Sequence, residues 1–286
     1  MQSANLAKKI LSLHNPNQFL GDSDCFLASN RRYFWHMEMK DYFSNRVTIR
    51  KYEDKKIPKE TIDSILEKAM RAPTCGNMQL YSVVVTQDAA RKKELAQYHF
   101  NQPAATGCDT ILTVCADFKR FCQWCEASGA RPGYSNFHSF IMALTDAVIY
   151  AQQIVTIAEM NGLGTCYLGT VNYNAKEISD FLNLPDHVVP VASISLGYPA
   201  ETDGQPDRLP LKAIVHEEKY RDDTISDTKE FFKAKDEDPA NQVFIKENDK
   251  RSLAEVFTDI RYPKSTNEKV SASFINLLKE KGFMTE

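Results

Sequence analysis

The sequence has few of the features that mark secreted, fibrous or membrane-spanning proteins. Its 286 residues include only 11 glycines and 12 prolines, which excludes collagen-like and low-complexity chains. Seven scattered cysteines, an odd number, do not form a disulfide framework and indicate thiols that are kept reduced. The first 15 residues contain no apolar run long enough for a signal peptide. We therefore expect a cytoplasmic globular protein.

The net charge is small, and histidines are few. Lys and Arg number 35 against 38 Asp and Glu, so the net charge of -3 gives no reason to expect nucleic acid or an anionic membrane as a partner. The 6 histidines have no carboxylate at a spacing that indicates a catalytic triad. We expect no catalytic protein nucleophile and no metal site, and any bound anion must be held by a local cluster of donors.

Apolar periodicity predicts alternating helices and strands. Helices are predicted over residues 58–72, 138–160, 252–258 and 267–281, and strands over 81–86, 110–116, 165–168 and 188–196. This alternation indicates an α/β or α+β fold with several strands around one long helix. The charge-rich stretch 217–238 is predicted to run over the surface as an extended arm.

The long helix carries apolar residues on several faces. One seam repeats alternately every three and four residues, and it comprises Ile141, Leu144, Val148, Ala151, Val155 and Ala158. Further apolar residues, among them Tyr150 and Ile154, lie on other faces. A helix of this kind is buried on more than one side, so we predict a central helix that also forms a subunit interface.

Arg46, Thr48 and Arg50 alternate in the sequence. In a locally extended backbone all three side chains project to one side. Two guanidinium groups beside a hydroxyl suit a phosphate, because a fork of charged donors binds its oxygens bidentately. The same triplet on its own also describes solvated surface charge.

Two loops offer polar groups for binding a ligand. The loop at Thr74, Cys75 and Asn77 separates a predicted helix from a strand, and an amide such as that of Asn77 can meet both a donor and an acceptor of a heterocyclic ring. A plain Asx turn is the alternative. The glycine-rich stretch 162–170 follows the long helix, and free N–H groups after Leu168 could donate to a ligand atom. Its spacing does not match the dinucleotide-binding fingerprint.

The order of these motifs along one chain resembles the FMN-dependent nitroreductase family. The motifs are Arg-x-Thr-x-Arg-x-Tyr, Ala-Pro-Thr-Cys-Gly-Asn-x-Gln, Gly-Leu-Gly-x-Cys-Tyr-Leu-Gly, and Gly-Tyr-Pro with a later Arg-Leu-Pro. The resemblance is strongest over residues 46–210. Beyond that range, the segment from Val256 to Tyr262 is similar to the NADPH-preferring branch, which includes nitroreductases and flavin reductases.

The resemblance implies an α+β fold of three layers, α/β/α, in which a mixed sheet is flanked by helices. It also implies a long central interface helix, a homodimer and a domain-swapped C-terminal arm. Three regions are expected: an accessory N-terminal helical arm at 1–44, an FMN-binding core at 45–215, and an extended charged arm with C-terminal helices at 216–286 that packs on the partner.

The cofactor-site residues are implied by the resemblance, position by position. Arg46 and Thr48 would hold the FMN phosphate together with Arg208, and Arg50 would lie by the ribityl chain and the pyrimidine edge. Gln205 falls near a position where a lysine is common in the family, and we count it in the site.

The remaining matches concern the flavin ring. Thr74, Cys75 and Asn77 match a loop that covers the cofactor across the dimer, with Cys75 in place of the usual serine. Gln102 matches a glutamine that reads the pyrimidine edge. The turn that donates backbone N–H groups toward flavin N5 is matched by Tyr167, Leu168, Gly169 and Thr170.

The implied function is that of an NAD(P)H-dependent FMN oxidoreductase. A hydride would pass from NAD(P)H through flavin N5 to nitroaromatics, quinones or free flavin in a ping-pong cycle. One alternative is a flavin-binding protein of this fold without NAD(P)H turnover. The other is a metal or thiol-redox protein that uses Cys122 and Cys125, which have the C-x-x-C spacing.

Overall fold

The computed structural model describes residues 39–202 and 204–284, with side chains from residue 42 onward. The chain divides into two compact units, Met1–Ser44 and Asn45–Glu286. The predicted N-terminal arm therefore lies outside the described residues, except for the helix α1 at Met39–Asn45. The second unit contains all the motifs described above.

Each predicted helix and strand is present in the described residues, together with further helices that the sequence pattern did not predict. The helices after α1 are α2 (Lys59–Ala69), α3 (Ala89–Tyr98), α4 (Pro103–Thr106), α5 (Lys119–Ala127), α6 (Phe137–Met160), α7 (Ala175–Phe181), α8 (Ile225–Glu237), α9 (Pro239–Glu247), α10 (Leu253–Val256) and α11 (Lys264–Glu280). The strands are β1 (Lys51–Tyr52), β2 (Tyr81–Thr86), β3 (Thr110–Asp117), β4 (Gly164–Tyr167), β5 (Val188–Gly197) and β6 (Pro199–Glu201). Short 3₁₀ turns occupy Cys75–Asn77, Gly169–Asn172 and Leu211–Ala213, and a π-helical turn occupies Phe257–Arg261.

Four strands form the central sheet in the order β2-β3-β5-β4, and β1 pairs with β6 in a separate ribbon. Every strand pair in the described residues is antiparallel. The prediction of a mixed sheet is therefore wrong in this detail for the described chain. The physical reason is that an apolar pattern marks a strand and its buried faces but carries no information on the direction in which it pairs.

Helices cover both faces of the sheet, as the α/β/α prediction requires. All residues of β3 and β5 are buried, which follows from this double cover. On one face Leu112 and Val114 pack in the same cluster as Ile154 of α6 and Ile65 of α2. On the other face Ile111 packs with residues of α3, α4 and α7.

The long helix α6 passes a length and composition test for a membrane span, but a core helix passes the same test. Its acidic residues, Asp146 and Glu159, are both almost fully buried and hydrogen-bonded to loops or strands of the same chain. Its residues Tyr150 and Ile154 belong to the main apolar cluster. These contacts identify α6 as the core helix.

The charged stretch predicted as an extended arm is helical over much of its length. Thr224 caps the N-terminus of α8 and forms a reciprocal capping box with Asp227. The four lysines and four glutamates of this stretch favour helix, a preference that the charge-based interpretation overlooked. Whether this region packs on a partner subunit stays a prediction.

After α11 the chain turns back onto the core. Gly282 has φ +80°, a conformation that L side chains rarely adopt, and a Cβ there would lie 3.3 Å from the His187 ring. The turn places Phe283, which is fully buried, edge-on against Phe140 of α6 and against His187. The last part of the described chain is thus an integral part of the core.

Candidate functional site

The arginine motif lies beside the strand β4 that leads into the glycine-rich turn. The Ile49 N–H donates to the Thr165 carbonyl at 3.0 Å, and Ile49 is buried. A Cβ at Gly164 would lie 2.7 Å from the Ile49 side chain, so glycine at 164 allows the two segments to approach. Ile49 faces inward and its neighbours Thr48 and Arg50 are less buried, but Val47 is as exposed as Arg46 and Thr48, so the predicted alternation holds only around Ile49.

Arg46 is held by a buried carboxylate. Its Nη2 lies 3.2 Å from Oε1 of Glu159, whose side chain is only 4% exposed. The same carboxylate oxygen accepts a hydrogen bond from the Thr165 hydroxyl. Partial burial raises the pKa of Tyr167 to about 12, and the Arg46 cation lowers it in part. Tyr167 lies on β4, the strand to which the arginine motif is hydrogen-bonded at Thr165, and the Glu159 carboxylate holds the Arg46 guanidinium in place.

The Gln205 segment lies against the arginine motif. Gln205 Nε2 donates to the Arg46 carbonyl oxygen at 3.3 Å, and Lys51 pairs with Glu201 across the β1–β6 ribbon. Arg208 is exposed, and its Nη1 donates to the carbonyls of Pro206 and Asp207. The described contacts thus bring Gln205 to the site, while Arg208 makes no described hydrogen bond to Arg46 or Thr48.

The glycine-rich turn begins at Leu168, which is held in place by a hydrogen bond to β5 and by burial. The Leu168 N–H donates to the Ser193 carbonyl at 2.8 Å, and the Leu168 side chain is buried. The next residue, Gly169, is exposed, its φ is not positive, and a Cβ built there meets no atom within 4 Å. Neither backbone conformation nor packing within the described chain requires glycine at this position. The missing side chain therefore leaves room for a molecule outside the chain.

The predicted pyrimidine-edge residue and the turn are joined directly. Gln102 Nε2 donates to Thr170 Oγ1 at 3.0 Å, and the same oxygen lies 2.8 Å from Nδ1 of His99. His99 is fully buried, and burial lowers its pKa to about 4. No motif or carboxylate spacing in the sequence singles out His99.

The loop at Thr74, Cys75 and Asn77 is clamped by the core helix. The Asp146 carboxylate accepts from the Cys75 N–H at 2.8 Å and from the Leu80 N–H at 3.1 Å. Between these two anchors the backbone has left-handed φ at Gly76, Asn77 and Gln79. Left-handed conformations in non-glycine residues carry strain, so the clamp holds a loop that would otherwise relax.

This loop and the arginine motif attach to distant parts of α6. Asp146 and Glu159, their respective anchors, are 13 residues apart on the helix, which corresponds to about 20 Å at 1.5 Å per residue. No described hydrogen bond links the loop to Arg46, Thr48 or Gln205. Within one chain the structure brings together the arginine motif, Gln205 and the turn, but not the predicted covering loop.

Removing the clamp should loosen the loop. In Asp146→Ala the Cys75 and Leu80 amides lose their acceptor, and an unsatisfied buried donor costs about 1–3 kcal/mol. Hydrogen exchange at these two amides should accelerate by about tenfold or more, which mass spectrometry measures. Asp146→Asn keeps one carbonyl acceptor and should show an intermediate effect. Equal protection of the loop in all three proteins would contradict the assignment.

Sequence reasoning missed two other groups that shape the site. Asp146 and Glu159 are acidic residues within an otherwise apolar helix. Buried charges need partners, so an acidic residue at a predicted core position of a helix was an available signal. Except for Thr165, their described partners come from segments far away in sequence, and the pattern alone does not identify them.

The Cys122 and Cys125 alternative finds little support. Cys122 and Cys125 are free thiols, and no group of three or more possible metal ligands occurs in residues 39–202 or 204–284. Cys125 is buried, and burial raises the pKa of Cys122 to about 11. A thiol with that pKa is almost entirely protonated at neutral pH and is a poor nucleophile.

Comparison with known proteins identifies the family of this fold and site. The family model described as Nitroreductase family matches residues 43–198, more than half of the chain. A curated relative from Bacillus subtilis (strain 168), named FMN reductase (NADPH), is 33% identical over 182 residues, which span 63% of this chain and 73% of the relative.

Solved structures agree over a longer stretch. A protein from Bacteroides fragilis NCTC 9343 is 48% identical, with a TM-score of 0.84 over 85% of this chain and 99% of that one. The NfrA1 nitroreductase from B. subtilis is 28% identical, with a TM-score of 0.75 over 87% of this chain and 100% of that one. These matches confirm the resemblance and the α+β fold inferred from the motifs. The chain belongs to the nitroreductase family.

Proposed function

We propose that this chain is an FMN-dependent NAD(P)H oxidoreductase that works by a ping-pong cycle and reduces nitroaromatics, quinones or free flavin. Its cofactors are FMN and NAD(P)H, as the names of its relatives support: FMN reductase (NADPH) and NfrA1 nitroreductase, both from B. subtilis. The finer assignments below rest on the geometry of this chain.

One observation carries the proposal. The arginine motif and the open turn at Gly169 belong to neighbouring segments, joined by the Ile49–Thr165 hydrogen bond. The arginine motif offers the Arg46 cation and the Thr48 hydroxyl, which makes no hydrogen bond with a described residue. The turn offers space that no chain atom fills. The donors on the arginine motif suit an anionic group such as a phosphate, and the open space at Gly169 suits a flat ring. Because the two segments are adjacent, one molecule with an anionic tail and a flat ring fits both.

The link between Gln102 and Thr170 supports the placement of the ring. In an isoalloxazine the C4 carbonyl lies between N3, on the pyrimidine edge, and N5. A residue that reads the pyrimidine edge and a turn that faces N5 must therefore be neighbours. The 3.0 Å hydrogen bond between these two side chains meets that requirement.

The roles of the chain are binding and electrostatic. FMN, when bound, supplies the redox chemistry by accepting a hydride and passing electrons to the second substrate. Arg46, Thr48 and Arg208 would hold the phosphate, Arg50 would stabilise negative charge near the pyrimidine edge, and the Gly169 and Thr170 N–H groups would face N5. No side chain needs to act as nucleophile or general base.

The unpaired surface of α6 supports a homodimer. Ile141, Val148 and Ile149 are large apolar residues on this core helix, yet each is between 37% and 42% exposed in a single chain. The covering loop is also anchored about 20 Å along the helix from the arginine motif of its own chain. A two-fold partner would bury the apolar residues and supply a loop to the opposite site.

A charge on this face should disrupt the dimer. In Val148→Glu the carboxylate would be buried at the proposed interface without a partner, and we expect the association of the two chains to weaken by at least about 3 kcal/mol, or over a hundredfold in dimer affinity. Sedimentation at micromolar concentration measures the change. Lys93→Glu, on the exposed side of α3, is the matched control. A wild-type monomer that retains FMN would overturn the dimer proposal.

Absorbance and turnover test the function as a whole. The purified protein should show a flavin band near 450 nm, and it should oxidise NADPH or NADH in the presence of menadione or nitrofurazone with parallel-line ping-pong kinetics. A protein without flavin that stays colourless with excess FMN would overturn the proposal. A full complement of FMN without NAD(P)H oxidation would favour a flavin-binding protein of the same fold.

The regional assignments remain part of the proposal. Residues 45–215 form the FMN-binding core, and residues 1–44 are an accessory arm. Within residues 216–286 the part before α11 reaches the partner, while α11 and Phe283 pack on the core of their own chain. A cytoplasmic location is supported by five cysteines that are free thiols: Cys75, Cys108, Cys115, Cys122 and Cys125.

A further inference from the structure

His99 and Gln102 converge on one hydroxyl of the turn. The Thr170 Oγ1 lies 2.8 Å from His99 Nδ1 and 3.0 Å from Gln102 Nε2. His99 is fully buried, whereas Thr170 is only partly buried. Two side chains of the chain therefore occupy two of the hydrogen-bonding positions of this hydroxyl. One position is left, and it is available to a ligand bound beside Gly169.

The backbone between the two side chains is strained. Phe100 and Asn101, which separate His99 from Gln102, have φ of +56° and +49°. Such conformations cost on the order of 1 kcal/mol or more for non-glycine residues. The Asn174 side chain fixes the start of the segment 99–102 by donating to the Tyr98 carbonyl at 2.7 Å. This backbone conformation lets the His99 and Gln102 side chains both reach Thr170 Oγ1.

The protonation of His99 determines the direction of the hydroxyl. Burial lowers its pKa to about 4, so the imidazole is neutral at pH 7 and carries one N–H. Its Nε2 is buried and has no hydrogen-bond partner in the described chain. Because a buried N–H without a partner is rarer than an unpaired acceptor, the hydrogen belongs on Nδ1, which donates to Thr170.

The lone pairs of Thr170 are then both used. Oγ1 accepts from His99 Nδ1 and from Gln102 Nε2, and a hydroxyl oxygen has two lone pairs. Its hydrogen has no acceptor in the described chain, since no further hydrogen bond of Thr170 Oγ1 is present. The Thr170 hydroxyl is therefore a donor directed at whatever occupies the space beside Gly169.

We infer that His99 is a positioning residue that, with Gln102, compels the Thr170 hydroxyl to donate a hydrogen bond to the bound flavin. This inference rests on the proposed function. A donor at the N5 and C4-carbonyl edge meets the negative charge that grows on the ring when it is reduced, and a preorganised donor stabilises that charge more than the uncharged state. By orienting the Thr170 hydroxyl, His99 and Gln102 would raise the midpoint potential of the flavin without contacting a substrate.

The midpoint potential of the bound FMN tests this directly. Thr170→Val and His99→Leu should each lower the reduced-to-oxidised ratio at fixed potential about tenfold, which corresponds to about 30 mV for a two-electron couple. Thr170→Ser keeps the hydroxyl and should stay near the wild type. His99→Asn keeps a polar atom at the Nδ1 position and should recover part of the loss.

A double-mutant cycle separates positioning from a general structural effect. If His99 acts through Thr170, adding His99→Leu to Thr170→Val should not lower the potential further. An equal drop in both backgrounds, or no drop in either single variant, would overturn the inference. Should His99→Leu not fold, His99→Gln replaces it, because that side chain places its polar end at the Nε2 position.

FMN binding by the wild type distinguishes the two levels of the proposal. If the wild-type protein binds no flavin, both the proposed function and this inference fail. If it binds flavin and turns over NAD(P)H while Thr170→Val and Thr170→Ser have the same potential, only the inference fails. Thermal melts of each flavin-loaded variant verify that the comparison is made between folded proteins.

Discussion

Replacing Arg46 by alanine is expected to release FMN and to destabilise the fold at the same time. The guanidinium lies 3.2 Å from the Glu159 carboxylate, which is nearly inaccessible to solvent. Removing one partner of a buried ion pair costs about 3–5 kcal/mol, because the remaining charge stays buried. Urea unfolding should show this loss, and the 450 nm band should disappear after gel filtration.

Two companion variants separate the two effects. Arg46→Lys retains the charge but not the fork of donors, so it should keep most of the stability while its FMN affinity falls at least tenfold. Arg46→Met combined with Glu159→Gln removes both charges and should be more stable than Arg46→Ala, yet equally unable to retain FMN. An Arg46→Ala protein with wild-type stability and a full flavin complement would refute the role of this pair.

Gly169→Val should abolish FMN binding while the fold remains intact. The backbone at Gly169 has ordinary φ, and a Cβ there meets nothing within 4 Å, so the free protein has room for a side chain. In the complex the same side chain would occupy the space proposed for the ring. We expect at least a hundredfold loss of affinity, about 2.7 kcal/mol, by fluorescence titration, with an unchanged melting temperature of the flavin-free protein.

Gly164→Ala is the matched control, five residues earlier on the same segment. Its Cβ would lie 2.7 Å from Ile49, closer than side-chain carbons approach in proteins, so the arginine motif would have to move. This variant should lower the melting temperature of the flavin-free protein, in contrast to Gly169→Val. If Gly169→Val lost stability to the same extent, the open surface would be a structural requirement and not a ligand site.

Much of the fold could be predicted because local patterns determine it. The strand β2 has the predicted bounds, and α6 differs from its prediction by one residue at the start. The direction of strand pairing could not be predicted, since alternation is the same for either direction. The helix α8 was missed because its charge was interpreted as solvent exposure without its helix propensity and capping box.

The residues of the candidate site also fall into two groups: those that a local sequence pattern predicts and those that it does not. The arginine motif was visible because its three polar side chains alternate within five residues. His99, Asp146 and Glu159 act through partners about 70 or more residues away in the chain, and no local pattern reports such pairs. The distance between the covering loop and the arginine motif likewise depends on where each one attaches to α6.

The burial of Phe283 has a consequence for how the protein is made. Phe140 lies near the start of the core helix, and its edge-on neighbour is synthesised more than 140 residues later. During translation domains begin to fold from the N-terminal side, so the first turns of that helix emerge from the ribosome long before their cover exists. The nascent chain therefore exposes this aromatic surface for at most about half of its synthesis, and we expect chaperones to bind it until residue 283 has been added.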